Sequence, residues 1–187
     1  MRAVIQRVLK SSVTVDGKIT GQIGKGFCVL LGVGPEDTEQ DVAWMAEKIA
    51  FLRVFEDEKA KMNLSIQDVG GSILAISQFT LYGDCEKGRR PSFTGAAHPV
   101  LAKELYEVFL KSFDKWNIPV EAGIFQADMK VEILNDGPVT LILNSPARKK
   151  TTPKERTDKE QEKFEREAEF LKRNLQLRQQ QKDKHHG

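Results

Sequence analysis

Two short stretches concentrate groups that chemistry can use. In Ser77-Gln78-Phe79-Thr80-Leu81, two hydroxyls and an amide follow directly on the apolar run Ile73-Leu74-Ala75-Ile76. Polar groups at the end of a buried strand are held by a rigid element, so they can orient a substrate or, with a base beside them, attack a carbonyl. Ser and Thr at a strand end also serve as ordinary hydrogen-bonding residues, and on pattern alone both readings stand. The second stretch is Asn135-Asp136-Gly137-Pro138-Val139-Thr140. Its local chemistry is that of a hairpin turn, because Asp-Gly accepts positive φ and proline fixes the next residue.

The partners needed for several common mechanisms are missing. The chain has 3 histidines, His98 at an expected helix start and His185-His186 near the end, and 2 cysteines. Neither His-Glu-x-x-His nor a cysteine pair of zinc-ligand spacing occurs. No Gly-x-Ser-x-Gly elbow surrounds Ser77, and there is no phosphate loop. An enzyme built on these residues is expected to need no metal or cofactor. It is also expected to work without an activated side-chain nucleophile, since no base is visible beside Thr80.

The elements that must position these residues read as mostly β. Ala3–Val8 and Ser12–Val15 are expected as strands, and Asp16-Gly17 joins the second to Lys18-Ile19-Thr20 as a hairpin. Phe27–Val33 is a buried strand. Thr38 with Asp41 makes a partial capping box for a helix whose buried face is Val42, Met45, Ala46, Ile49 and Leu52. Arg53–Phe55 is a short strand, Glu56–Lys61 a charged turn, and Met62–Val69 stays ambiguous. Ile73–Ile76 is a strand buried on both faces. The loop Tyr82–Phe93 carries Lys87, Arg89 and Arg90, which suit either phosphate contacts or solvent. His98-Pro99 opens a second helix with Leu101, Leu105, Val108, Phe109 and Phe113 inward, closed by Asn117 and Pro119. Glu121–Gln126, Met129–Leu134 and Val139–Leu143 complete the strands, the last two as a hairpin. The fold class is a β-rich α+β body, a sheet or barrel of roughly eight strands with two packed helices. Strand edges left open by such a body favour a homodimer.

Charge divides the chain. Ser145–Gly187 carries 13 Lys+Arg against 8 Asp+Glu, net +5, leaving 16 against 19, net −3, for residues 1–144. The expected organisation is a body, 1–144, and a basic extension, 145–187. In the extension Phe164, Ala168, Leu171 and Leu175 with Glu162/Arg166 and Glu169/Arg173 predict a helix, one formed on contact with the body, a partner or RNA, and a solvated tail is the simpler reading of the composition. No run approaches the ~18 apolar residues of a membrane span. The start lacks a secretory signal, so a soluble, cytoplasmic protein with unpaired Cys28 and Cys85 is expected.

Ser77–Leu81 and Asn135–Thr140, together with Ala3-Val4-Ile5-Gln6-Arg7-Val8 and Gly88-Arg89-Arg90-Pro91-Ser92-Phe93, resemble the signature segments of the D-aminoacyl-tRNA deacylases. The similarity runs from Met1 to about Leu143, and the extension resembles those of eukaryotic members. The resemblance implies hydrolysis of the ester joining a D-amino acid, or mischarged glycine, to the terminal adenosine of tRNA. It implies a barrel-like homodimer in which a cis Gly137-Pro138 enters the partner's site, holds the substrate ammonium through its carbonyls and rejects L enantiomers. Arg7 would brace that dipeptide. Ser77, Gln78, Phe79 and Thr80 would line the ester, with backbone N–H groups at Phe79 and Thr80 facing the oxyanion and the ribose 2′-OH assisting water. Phe125 and Met129 would bind the adenine. A DNA- or RNA-binding accessory protein using the basic tail is the alternative, and a small-molecule esterase a further one.

Overall fold

The computed structural model describes residues 1–146, and Met1–Pro146 forms one compact unit. The expectations for the extension beyond that point lie outside the described residues. Among the described residues there are eight strands and two α-helices: β1 (Arg2–Val15), β2 (Lys18–Ile23), β3 (Gly26–Gly32), α1 (Glu39–Ala50), β4 (Phe55–Glu56), β5 (Met62–Leu64), β6 (Ser72–Ser77), α2 (Pro99–Lys111), β7 (Val120–Ala122) and β8 (Lys130–Asn144).

The main sheet is mixed. β1 runs antiparallel to β2, β3 and β8, while β6 lies parallel to both β3 and β7. It curls until β2 comes up against β7: a Cβ on Gly21 would sit 2.9 Å from the Ala122 carbonyl oxygen and 3.1 Å from its nitrogen. Glycine is required there because backbone meets backbone, and the close approach brings the sheet near to a closed barrel.

Strands β3 and β6 are covered on both faces, which explains their unbroken apolar runs. Phe27, Val29, Leu31, Ile73 and Ala75 join the core formed with both helices. Cys28, Leu74 and Ile76 point the other way, into a second core with Val8, Val13 and Ile23 inside the curl. Thr38 and Asp41 form the capping box of α1, with the Asp41 carboxylate accepting the Thr38 N–H at 2.9 Å. Its buried face is Val42, Met45, Ala46 and Ile49, with Leu52 partly buried beyond its end. Asp16 and Gly17 both take positive φ, 48° and 76°, the geometry of a tight hairpin turn.

Several boundaries differ from those expected. The two N-terminal strands are one, because the pairing with β8 continues from Arg2 to Thr14. The expected hairpin at Asn135–Pro138 is absent for the same reason: Lys130–Leu134 and Val139–Leu143 are parts of a single 15-residue strand, β8, and Met129 lies just before it. The Glu121–Gln126 strand shrinks to Val120–Ala122. Its continuation ends at Gly123, where a Cβ would collide with Met129 Sδ, and Gln126 adopts φ 65°. Arg53 and Val54 lie outside β4, which begins at Phe55, and Glu56 belongs to it rather than to the charged turn. The ambiguous Met62–Val69 contains β5. α2 ends at Lys111, and Asn117 instead closes a 3-10 turn at Asp114–Trp116 with φ 54°. Among the described residues no helix is long and apolar enough to cross a membrane.

Candidate functional site

The polar end of β6 does not continue as strand. Gln78 N–H bonds the Leu31 carbonyl at 2.8 Å, tying the exit of β6 to the end of β3, and Phe79–Tyr82 then forms a 3-10 turn. The Leu81 N–H bonds the Gln78 carbonyl at 3.3 Å. The N–H groups of Phe79 and Thr80 precede that bond, so the turn itself supplies them with no acceptor. Phe79 and Thr80 are exposed, whereas Ser77 and Gln78 are half-buried. The Gln78 side-chain amide donates to Thr80 Oγ1 at 2.5 Å, fixing the hydroxyl over the turn.

Residues far away in sequence hold this turn from behind. Arg2 Nη1 donates to the Leu81 carbonyl at 2.6 Å, and its guanidinium lies 5.0 Å from the Tyr82 ring centre. Tyr82 is also packed close to Gly32 and Gly34, where an added Cβ would meet its ring at 3.1 Å and its hydroxyl at 2.9 Å. Burial, followed by the nearby Asp37 carboxylate, pushes the Tyr82 hydroxyl up to about 12, so it stays protonated at neutral pH. Asp37 itself binds the N-terminal ammonium and accepts the Gly34 N–H at 2.6 Å. On the outer side Phe79 meets Phe93 edge-to-face at 5.1 Å.

The second stretch forms a bulge in the β1–β8 ladder. Gln6 pairs with Thr140 and Val8 with Asn135, so Asp136, Gly137, Pro138 and Val139 stand opposite Arg7 alone. Asn135 staples its base: Oδ1 accepts the Val139 N–H at 3.3 Å, and Nδ2 donates to Thr140 Oγ1 at 3.0 Å. The Gly137-Pro138 peptide bond is cis, Gly137 has φ 119°, and both residues are exposed.

Arg7 lies beneath the bulge with its side chain only 5% exposed. Its Nε donates to the Asp136 carbonyl at 3.3 Å and pairs with the Asp136 carboxylate at 3.1 Å. Nη1 donates to the Val54 carbonyl at 2.6 Å, and Nη2 lies 3.7 Å from Glu56 Oε1. A buried guanidinium needs such partners, and here they tie the bulge to Val54 and to Glu56 of β4. Among the described residues, no hydrogen bond or ion pair joins Ser77–Thr80 to the bulge.

Phe125 and Met129 are partly buried and do not share a packing cluster. Phe125 packs 6.0 Å from Tyr106 in the helix-covered core, and Met129 packs in the second core. Arg2, Glu56 and Asn135 are supporting residues that sequence reasoning missed. Asn135 opens the Asn135–Thr140 stretch, whereas nothing local marks Arg2 or Glu56. Cys28 is buried and Cys85 exposed, both free, and no group of three metal-ligating side chains converges among the described residues.

This arrangement offers two backbone donors and a positioned hydroxyl on one side, and a braced, exposed bulge on the other. The family model described as D-Tyr-tRNA(Tyr) deacylase matches residues 4–144. The D-aminoacyl-tRNA deacylase of Fervidobacterium nodosum is 62% identical over 145 residues, spanning 78% of this chain and 97% of that protein. The D-aminoacyl-tRNA deacylase of Geobacter sulfurreducens is 58% identical over 152 residues, 81% of this chain and 100% of that one. Among solved structures, a c-Myc DNA unwinding element binding protein matches with a TM-score of 0.74 and 46% identity, over 79% of this chain and 100% of its own. A structure described as a probable eukaryotic D-amino acid tRNA deacylase shares the fold, with a TM-score of 0.65 at 16% identity over 76% of this chain and 97% of that one.

Proposed function

The chain belongs to the D-Tyr-tRNA(Tyr) deacylase family, and from that premise we propose that it hydrolyses the ester of D-aminoacyl-tRNA, releasing the free D-amino acid and tRNA. The observation that carries this reading is the family match over residues 4–144, which spans both the 3-10 turn and the bulge. The substrate class is aminoacylated tRNA, and the work is chiral proofreading in the cytoplasm, with glycyl-tRNA as a second substrate.

In the proposed mechanism Ser77–Thr80 form the floor beneath the scissile ester. The N–H groups of Phe79 and Thr80 receive the oxyanion of the tetrahedral intermediate, a contribution of about 3–4 kcal/mol per donor in other enzymes. Thr80 is a positioning and lining group, because among the described residues no base stands beside it to make it a nucleophile. Water attacks instead, assisted by the ribose 2′-OH of the substrate, and Phe125 and Met129 contact the terminal adenine.

Selectivity is assigned to Gly137-Pro138 of a second subunit. Its carbonyl oxygens hold the α-ammonium, and its backbone occupies the space an L side chain would need. Two features favour a homodimer. Among the described residues β8 pairs only with β1, leaving its outer edge open, and that strand exposes Leu134 by 47% and Ile142 by 67%. The body is residues 1–144, and the basic extension 145–187 adds affinity for RNA through counterion release. A truncated 1–146 chain then binds tRNA more weakly at low salt, and unchanged binding there refutes that role.

The likeness to a protein described as binding a DNA unwinding element favours one other reading, a nucleic-acid-binding accessory protein. Thr80→Ala and Gly137→Ala separate the two. Deacylation of D-tyrosyl-tRNA is lost in both variants while nucleic-acid binding through the extension survives. Failure of the unaltered chain to release D-tyrosine refutes the deacylase reading.

A further inference from the structure

The floor of the site is joined to a basic loop that the mechanism above does not use. We propose, resting on the deacylase reading, that the loop Asp84–Ser92 is a phosphate-binding strap for the single-stranded RNA leading to the ester, with Lys87, Arg89 and Arg90 as its cationic groups.

The loop is a closed structure. Asp84 N–H bonds the Ser92 carbonyl at 2.7 Å and Ser92 N–H bonds the Asp84 carbonyl at 2.8 Å, a short bridge that brings the two ends together. Asp84 Oδ1 accepts the Glu86 N–H at 2.8 Å, which occupies that carboxylate within the loop. Gly88, at φ 75°, reverses the chain between Lys87 and Arg89. Just past the bridge, Phe93 packs on Phe79, the first residue of the 3-10 turn, and would touch a Cβ on Gly83 at 3.0 Å. The strap is therefore rooted on the residue whose N–H faces the proposed oxyanion.

The cations of the strap differ from the other arginines of the body. Arg2, Arg7 and Arg53 are engaged by carbonyl or carboxylate oxygens. Lys87, Arg89 and Arg90 are exposed and form no ion pair among the described residues. They also stand out against a body whose residues 1–144 sum to −3. Three such cations beside an exposed aromatic pair match the pattern by which proteins track a single strand, with cations on the phosphates and rings available to bases. The substrate supplies such a strand, because the amino acid is esterified at the end of an RNA whose preceding phosphates must leave the site on some side.

The test uses the full chain and two substrates, D-tyrosyl-tRNA and the D-tyrosyl ester of adenosine, which has no phosphate. R89A/R90A is expected to leave kcat within about twofold and to raise KM for the tRNA substrate. Removing two cations from the phosphates of a single strand lowers the slope of log affinity against log salt by about 1.4, so the KM penalty shrinks about 12-fold between 50 and 300 mM salt. Cleavage of the adenosine ester stays unchanged, and R89K/R90K, which keeps the charges, retains the salt slope. An R89A/R90A chain matching the unaltered one in KM and salt slope on tRNA overturns the strap. So does an equal loss on both substrates, or a slope change seen with duplex DNA and absent with tRNA. An unaltered chain that cleaves neither ester overturns the deacylase reading itself.

Discussion

Replacing Arg7 by methionine keeps the apolar stem and removes the guanidinium, so it tests what holds the Asp136–Val139 bulge. The bond to the Val54 carbonyl is short, 2.6 Å, and its loss leaves that carbonyl without its charged donor. A hydrogen bond to a charged group contributes about 1.5–3 kcal/mol. The Asp136 pair lies at 3.1 Å with the carboxylate 33% exposed, and sits at the lower end of that range. Glu56 is half exposed at 3.7 Å and adds less than about 1 kcal/mol. The expected destabilisation is about 3–5 kcal/mol, or roughly 6–20 °C in Tm at about 2–4 °C per kcal/mol for a domain of this size. Differential scanning calorimetry measures that shift, and kcat/KM on D-tyrosyl-tRNA reports the placement of Gly137-Pro138. Arg7→Lys keeps one point donor and is expected to lose about half as much. An R7M chain that melts within about 2 °C of the unaltered one with undiminished kcat/KM refutes the bracing role.

Gly21→Ala forces a methyl against the Ala122 backbone, and its melting temperature is expected to fall by several degrees, about 1–3 kcal/mol of overpacking, with unchanged stability refuting the close β2–β7 approach. Burial pushes the Cys28 thiol up to about 11, above its unfolded value near 9. The stability this provides is complete below about pH 9 and is lost as pH rises through 11, which urea titrations across that range detect as a falling midpoint. At pH 8 a thiol reagent should label Cys85 at once and Cys28 only in denaturant, so prompt labelling of both in the native chain contradicts the packing of the second core. If the gate comes from a second subunit, equal mixing of Thr80→Ala and Gly137→Ala chains restores about a quarter of the activity. Half the dimers are then mixed, and each holds one intact site. No restoration refutes the cross-subunit site.

Much of the fold is legible in local chemistry. Asp16-Gly17 marks a hairpin, Thr38 and Asp41 a helix start, and the unbroken runs at 27–33 and 73–76 mark strands covered on both faces. The largest departure comes at Asn135–Pro138, where the same residues that make a hairpin turn also suit a bulge. The choice depends on a partner more than a hundred residues away: β1 is long enough to pair with β8 on both sides of the interruption. Local pattern cannot see that length, because Leu9 and Lys10, both exposed, interrupt the alternation of β1 where its register slips.

The candidate site is legible to a different degree on its two sides. The change from apolar to polar at Ser77 is visible in sequence, but the 3-10 turn that presents the Phe79 and Thr80 N–H groups depends on Gln78 bonding Leu31 and on Arg2 holding Leu81. For Arg7, the alternation that buries Ala3 and Ile5 puts a charge on the same inward face of the strand. Its partners Val54, Glu56 and Asp136 come from two separate segments, and only the folded chain brings them together.

Chiral selectivity is tested by comparing the two enantiomers on one tRNA. D-tyrosyl-tRNA and L-tyrosyl-tRNA, labelled in the amino acid, are incubated with excess protein and ester loss is followed in a single turnover. Rapid release of D-tyrosine is expected, with the L ester decaying at the rate seen without protein. Equal rates on both, or release of neither, would contradict it.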